Sequence, residues 1–404
     1  MTATLRRRLL FGALYFSEGA PIGFLWWAMP ARLRAAGLEV DVITGLLGVL
    51  VLPWALKFLA APFVDVLRSP GWPLRAWIAA AQVTMGLLLL PLLWLDWRAQ
   101  FGLIGLILLL HAIAAAIQDV AVDAYALAVV EPDHRASINA WMQIGMLSGR
   151  SLFGGGALLL DARFGTQATV LLLIGAIWSS LTVLALAGEP EPGRGAGTDW
   201  RRRGNEFRAA LGEVLCTRTT WLVLGFAAIG GAGYEAVGLL VGPYLVDRSF
   251  TQTEIGAFLF LPTVAAMMLG ALVAGTIADA LDHAAAAAVA LTAMAITIVA
   301  LAAVDAAAPA WVVLAALLAL YVLIGAYTTI SYALFMDRTD RRLGATQLSA
   351  YMSGTNLCES WSAMAGGRLV TSGSYATAFV VMAMASLAAL PLLGALRAGR
   401  SRSA

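Results

Sequence analysis

The chain has 404 residues, 61% hydrophobic and 12% charged, with a formal net charge of +2 and a mean hydropathy of +0.83. Soluble domains run at about 45–50% apolar and about 25% charged, so this composition excludes a nucleic-acid binder, a disordered chain, a disulfide-stapled secreted module and an ordinary cytosolic enzyme. It fits an integral membrane protein whose apolar share fills twelve spans of ~20 residues, each long enough to cross ~30 Å of hydrocarbon.

Apolar runs bounded by charge, proline or glycine predict helices over 9–30, 42–64, 74–95, 101–130, 136–160 and 166–187. Six more follow over 218–245, 253–276, 284–304, 310–336, 343–369 and 375–396. The first run follows Arg6, Arg7 and Arg8 and continues to about Met29 without a small-residue cleavage site, so it is expected to remain in the chain. A closed barrel would need alternating strands of ~10 residues, whereas these runs are long, unbroken and rich in Leu and Ala. Cys216 and Cys358 stand alone, which leaves no disulfide framework and no cysteine metal site.

Residues 188–217 begin Glu-Pro-Glu-Pro-Gly, carry Arg201, Arg202 and Arg203, and are too polar to span. They read as a cytoplasmic linker between an N-terminal bundle, 1–187, and a C-terminal bundle, 218–404. Phe207, Leu211 and Val214 fall at i, i+4 and i+7, which suits either a short surface helix or a solvated basic loop. With the N-terminus inside, the inner segments hold 18 of the 26 Lys and Arg residues and the outer segments six. That bias orients both termini and the linker toward the cytoplasm.

The halves repeat each other. Ala-Tyr-Ala-Leu at 124–127 recurs as Ser-Tyr-Ala-Leu at 331–334, and Asp133 and Arg135 recur as Asp340 and Arg342, all at an offset of 207. Pro30 and Pro53 have counterparts in Pro243 and Pro262. A parallel six-plus-six repeat with a cytoplasmic linker is the layout of major facilitator transporters, whose substrate is expected between the halves near the midplane. The fold class is therefore an all-α membrane protein with twelve transmembrane helices in two six-helix halves. Two related halves argue against an enzyme.

A charge at the bilayer centre costs ~2.5–3.5 kcal/mol even on the mild insertion scale, so it needs a partner, a wet cavity or a neutral form. The candidates are Glu18, Lys57, Asp119, Asp123, Arg150, Glu235 and Glu359. Asp119 lies ~18 Å from the inner end of the fourth helix, and Asp123 one turn nearer the cytoplasm on the same face. Two carboxylates ~6 Å apart in a poorly hydrated site do not both ionise readily, as a proton carrier requires. Asp119 and Asp123 are thus candidates for binding the coupling proton, with Lys57 as their positive partner. The alternative is a buried ion pair that only joins two helices. The second half carries Ala326 and Ile330 at the duplicated positions, so the carboxylate pair is not needed to build the fold.

Glu18 sits midway along the first helix and Glu235 four residues from its repeat position in the seventh. Both are candidates to line a central cavity. Arg150 and Glu359 fall toward the outer half and either neutralise each other or Glu18 and Glu235, or Arg150 meets an anionic substrate group with its planar fork. Tyr327, Thr328, Thr329 and Tyr332 form a polar-aromatic strip suited to a sugar or aromatic ring, or to hydrogen bonds within the bundle. His111 is ~80° round the helix from Asp119, a poor relay partner. Trp26 and Trp27 read as interface anchors, and Met267 and Met268 as core. No metal spacing or phosphate loop is present in the sequence, so no cofactor is expected.

The stretches at 15–30 (YFSEGAPIGFLWWAMP), 52–65 (LPWALKFLAAPFVD) and 118–127 (QDVAVDAYAL) resemble the AmpG muropeptide permeases and their relatives, the single-protein siderophore permeases and acetyl-CoA transporters. The likeness is best over 10–165. It implies proton-driven import of a bulky polar or anionic solute, such as a muropeptide or siderophore, through the bacterial inner membrane. It implies a monomer whose partners are solute, proton and lipid bilayer, with helices one, four, seven and ten lining the cavity. Asp65 with Arg68 and Arg75 matches the family's loop between helices two and three, a cytoplasmic gate that Asp279 echoes in the second half. A rival expectation within the superfamily is a membrane assembly factor that carries nothing.

Overall fold

The computed structural model describes residues 3–57, 59, 72–131, 134–187, 212–278, 282–305, 307–340 and 344–400. They are almost wholly helical: α1 (Ala3–Gly23), α2 (Met29–Ala35), α3 (Val40–Ala55), α4 (Leu74–Leu89), α5 (Phe101–Val129), α6 (Arg135–Phe153), α7 (Gly155–Ala187) and α8 (Arg218–Ile229) come first. There follow α9 (Ala232–Asp247), α10 (Gln252–Phe260), α11 (Pro262–Ala278), α12 (His283–Ala302), α13 (Ala310–Asp337), α14 (Gly344–Ser372), α15 (Tyr375–Leu387) and α16 (Leu390–Arg400). Among the described residues, nine stretches are long and apolar enough to cross a bilayer. One of them, Ser137–Ala187, has 51 residues and would extend ~76 Å as one helix, enough for two crossings. Its backbone breaks at Gly154 and at Gly165, where φ is 81° and ψ 165°. The shorter apolar α3 and the more polar, 29-residue α14 complete the twelve that the sequence predicts.

Several spans are interrupted where the sequence reading had them continuous. Between α1 and α2 the residues Phe24–Ala28 form a π segment just after Pro21, whose missing N–H and ring disturb the preceding turn. Gly230 and Gly231 separate α8 from α9, and Pro262 restarts the chain at the first position of α11, where its missing donor costs nothing. Two details are corrected. Trp26 and Trp27, within the π segment, are buried in the bundle, so their rings are not presented outward as belt anchors would be. Met268 is exposed, because the inner face of α11 is taken by Met267, whose carbonyl meets Gly325. Phe207 and Leu211 lie outside the described residues, and Val214 is buried.

The described helices pack into two compact units, neither a single stretch of chain. One comprises Met1–Glu39, Leu56–Arg194 and Gly242–Leu261; the other comprises Val40–Ala55, Gly195–Val241 and Pro262–Ala404. In the first unit α1 and α6 meet along glycines. A Cβ on Gly19 or Gly23 would strike the backbone of Met146 or Arg150, and one on Gly145 or Gly149 that of Gly12 or Phe16. Such small-residue seams let helices approach closely in lipid, where burial alone gives no driving force between them. Arginines close the far end of this unit. Arg6 Nε donates to Ala187 O at 3.0 Å and an Arg75 guanidinium nitrogen to Leu184 O at 3.1 Å, both at the carbonyl-rich, negative end of α7. In the second unit Gly270 packs on Val322 and Gly325 on Met267, joining α11 to α13 by backbone contact.

Gly149→Leu is expected to cost at least about 1–3 kcal/mol, since the added atoms meet the α1 backbone. Gly175→Ala has open space around it and should be neutral or stabilise by up to about 1 kcal/mol. Thermal unfolding of the two purified variants in detergent checks the contrast.

Candidate functional site

The first unit gathers a polar cluster around α5. Ser17 of α1 is its hub. Its hydroxyl donates to Leu14 O at 2.6 Å and accepts from Gln82 Nε2 at 3.0 Å and Gln118 Nε2 at 3.2 Å. Trp178 Nε1 donates to Gln82 O at 3.1 Å, and His111 Nδ1 to Met85 O at 3.0 Å, so α1, α4, α5 and α7 are fixed in rotation. His111 is therefore a bundle residue, as its angle from Asp119 predicted. With α5 so held, Asp119 faces Lys57: Nζ and Oδ2 are 2.8 Å apart, with side chains only 15% and 6% accessible. Both charges are shielded from water, and their attraction and direct hydrogen bond offset the desolvation.

One turn on, Asp123 is in a different setting. Its residue surface is exposed, and Oδ1 accepts a 2.5 Å hydrogen bond from the Tyr15 hydroxyl of α1. The two carboxylates that share a helix face are thus unequal, Asp119 locked in an ion pair and Asp123 exposed and held by Tyr15. Glu18, three residues after Tyr15, is buried at 3%. Arg150 of α6 is half-buried, with its Cζ 5.8 Å from the ring centre of Trp27.

In the second unit Glu235 of α9 and Glu359 of α14 are half-buried, and Glu359 follows Cys358, which packs with Ala232, Ala236 and Met382. Tyr327 is buried, its ring centre 5.6 Å from that of Tyr234 and 6.1 Å from that of Phe226. Thr328 and Thr329 bond back to Ile324 O and Gly325 O of their own helix at 2.9 Å each, which satisfies half of the expected polar strip internally. Tyr332 stays 42% exposed. Of the expected gate, Asp65, Arg68 and Asp279 lie outside the described residues, and Arg75 holds the end of α7.

Sequence reasoning missed Tyr15, Ser17 and Gln82 as site residues and took Gln118 only as part of the 118–127 stretch. Tyr15 and Glu18 are spaced to share a face of α1, and Gln118 adjoins Asp119; these were the available signals. Gln82 carried none.

An all-helical membrane bundle with buried and accessible ionisable groups at mid-span belongs to the class of secondary transporters in fold. The chain belongs to the Major Facilitator Superfamily, whose family model matches residues 9–363. Among solved structures it is similar to a D-xylose-proton symporter, with a TM-score of 0.75 at 13% identity over 96% of both chains. It is also similar to the nucleoside transporter NupG, with a TM-score of 0.73 at 11% identity over 98% of this chain and 99% of that one. A bacterial homologue of the human lysosomal transporter Spinster gives 0.66 at 13% identity, over 97% and 94%. At these identities the likeness is one of fold. An uncharacterized protein of Haemophilus influenzae is 31% identical over 194 residues, 46% of this chain and 44% of that protein, so the match spans under half of that relative's length.

Removing one partner of a buried pair typically costs about 3–5 kcal/mol, because the other charge is left uncompensated. Lys57→Ala should therefore destabilise the purified protein more than Lys57→Ala combined with Asp119→Ala, as measured by chemical unfolding in detergent. Strict additivity would show that the two groups do not act as a pair.

Proposed function

We propose that this protein is a proton-coupled secondary transporter that imports a bulky polar or anionic solute, of the muropeptide or siderophore kind, by alternating access. The observation that carries the reading is the unequal carboxylate pair. A group that loads and unloads a proton has to be reachable, and Asp123 is exposed. A group that senses the loading has to be coupled to it, and Asp119 lies one turn away in contact with Lys57. When Asp123 takes a proton, Lys57 loses one nearby negative charge and is held chiefly by Asp119, its hydrogen-bonded partner; when the proton leaves, its ammonium is again drawn to both aspartates. That change in how the Lys57 segment is held to α5 is the proposed link between protonation and conformation.

The second half supports this assignment. At the positions that repeat Gln118 and Asp119 it has Gly325 and Ala326, and the contact there is glycine against the Met267 backbone. Two helices of this chain are thus joined without charge where packing alone serves. In the proposed cycle residues 1–187 and 218–404 are the two halves, 188–217 the linker, and both termini lie in the cytoplasm of a bacterial inner-membrane protein working as a monomer. Glu18, Arg150, Glu235, Glu359, Tyr327 and Tyr332 are the proposed cavity residues, and Asp65, Arg68, Arg75 and Asp279 the cytoplasmic gate.

The test is uptake into proteoliposomes under an imposed proton gradient, with labelled muropeptide and labelled ferric siderophore as separate solutes. Asp123→Asn is expected to abolish gradient-driven accumulation while leaving solute exchange at equilibrium within about twofold. Accumulation unchanged in Asp123→Asn would remove the coupling role, and no uptake of either solute by the wild type would remove the proposed substrates.

A further inference from the structure

Two arginines of the first unit are stacked on tryptophans, and the contrast between them is informative. Arg32 has its Cζ 5.1 Å from the ring centre of Trp97. Its edge is occupied: Nε lies 3.2 Å from Asp161 Oδ2, and a terminal nitrogen donates to Thr166 Oγ1 at 2.7 Å. This arginine has a ring beneath the guanidinium and a carboxylate on its Nε, while its Nη1 finds no hydrogen-bond partner among the described residues.

Arg150 has the ring and lacks the carboxylate. Its Cζ stands 5.8 Å from the Trp27 ring centre. Its Nε is fully enclosed and donates to no described atom, and no described residue forms an ion pair with the guanidinium. The group is permanently charged and sits in a span, where an uncompensated cation is costly. Nor is its placement loose. The π segment Phe24–Ala28 inserts an extra residue per turn and carries Trp27, which is 7% exposed. Gly154 leaves room for the ring, since a Cβ there would meet Trp27, and Gly23 lets the α6 backbone at Arg150 press against α1. Ring and cation are held by two helices locked at their backbones. A π segment at such a point is a common mark of a functional position.

We infer that Arg150 over Trp27 is a receiving subsite for an anionic group, a carboxylate or phosphate, that supplies the acid missing from the fork while its neighbouring ring or apolar surface lies against Trp27. The inference rests on the transport reading and narrows its solute to one bearing such an anion. Asp119 and Asp123 of α5 then serve the proton rather than the solute.

The experiment measures thermal unfolding of the purified full-length protein in detergent with paired probes that differ in the anionic group. The pairs are N-acetylmuramate against N-acetylglucosamine and glucose 6-phosphate against glucose. The charged member of at least one pair is expected to raise the unfolding temperature of the wild type where its neutral partner does not. Arg150→Gln should weaken the apparent affinity by about tenfold or more, and Arg150→Lys, which keeps the charge of the span but not the fork, by about tenfold. No preference for a charged member in the wild type, or the same preference in Arg150→Gln and Arg150→Lys, overturns the inference. Repeating the scan in nanodiscs of phosphatidylcholine and of phosphatidylglycerol separates the sources: an Arg150-dependent shift from phosphatidylglycerol alone assigns the anion to a lipid headgroup and overturns the solute assignment. Uptake of a neutral solute unaffected by Arg150→Gln would sink this inference and leave transport standing, whereas Arg150-dependent binding without any uptake would do the reverse.

Discussion

An ammonium and a carboxylate facing each other inside a membrane bundle constrain everything around them. Lys57 and Asp119 are tolerable there only while 2.8 Å apart, because either charge alone in that setting is expensive. The helix that carries Asp119 therefore has to be fixed in rotation and depth. The structure does this with neutral groups: a serine accepting from two glutamines, an indole and an imidazole each donating to a backbone carbonyl. Hydrogen bonds of this kind contribute little each in a membrane, about 0.6 kcal/mol on average. They act together by fixing one arrangement in which the charges meet. Among neutral residues of similar size the bundle would tolerate small rotations; with a lysine in it, a rotation strands a charge.

The same constraint explains why Asp119 and Asp123 differ although they share a face. One turn of helix separates them by ~6 Å, far enough that the lysine closes on one of them and leaves the other to the hydroxyl of Tyr15. A neutral donor holds a carboxylate in place without cancelling its charge, so Asp123 can remain accessible and ordered at once. In the second unit α11 and α13 meet without charge, Gly325 against the Met267 backbone and Gly270 against that of Val322.

The membrane class, the twelve spans and their approximate ends were legible in the sequence because each depends on the summed hydropathy of some twenty residues, a signal that single substitutions do not erase. Lys57 and Asp119 were legible for the opposite reason: a charge in an apolar run is conspicuous alone. What escaped was whatever depends on three-dimensional neighbours. Gln82 is an ordinary polar residue in the sequence and becomes a link only because α4 turns it toward Ser17. The π segment was hidden because its residues, Phe-Leu-Trp-Trp-Ala, suit an α-helix equally well. Trp26 and Trp27 were misread for the same reason, since tryptophan near a span end is usually an interface anchor and only the extra residue in the turn carries them inward. The breaks at Gly154 and Gly230 are cases where a glycine signal was present but equally compatible with close packing.

The way residues 242–261 join the first unit bears on how such a bundle can move. Within the first 187 residues two of the ion pairs, Lys57 to Asp119 and Arg32 to Asp161, are buried or nearly so. The later segment is joined both by a close seam, with Gly155 against Gly256 and Ser151 Oγ donating to Phe260 O, and by a lighter contact. Arg34 Nε meets Asp247 Oδ1 at 2.7 Å with side chains 24% and 29% accessible, and Gly242 rests on the backbone of Ala31. A half-exposed ion pair contributes on the order of 0–1 kcal/mol, and a glycine seam has no interlocked side chains to extract. Breaking a buried pair strands a charge in hydrocarbon, whereas breaking the half-exposed pair hands both groups to water. The charge pair inside the bundle is thus the costliest contact to break, while 242–261 is held to the first unit by one half-exposed ion pair and by backbone seams at Gly242 and Gly256 that hold through closeness alone.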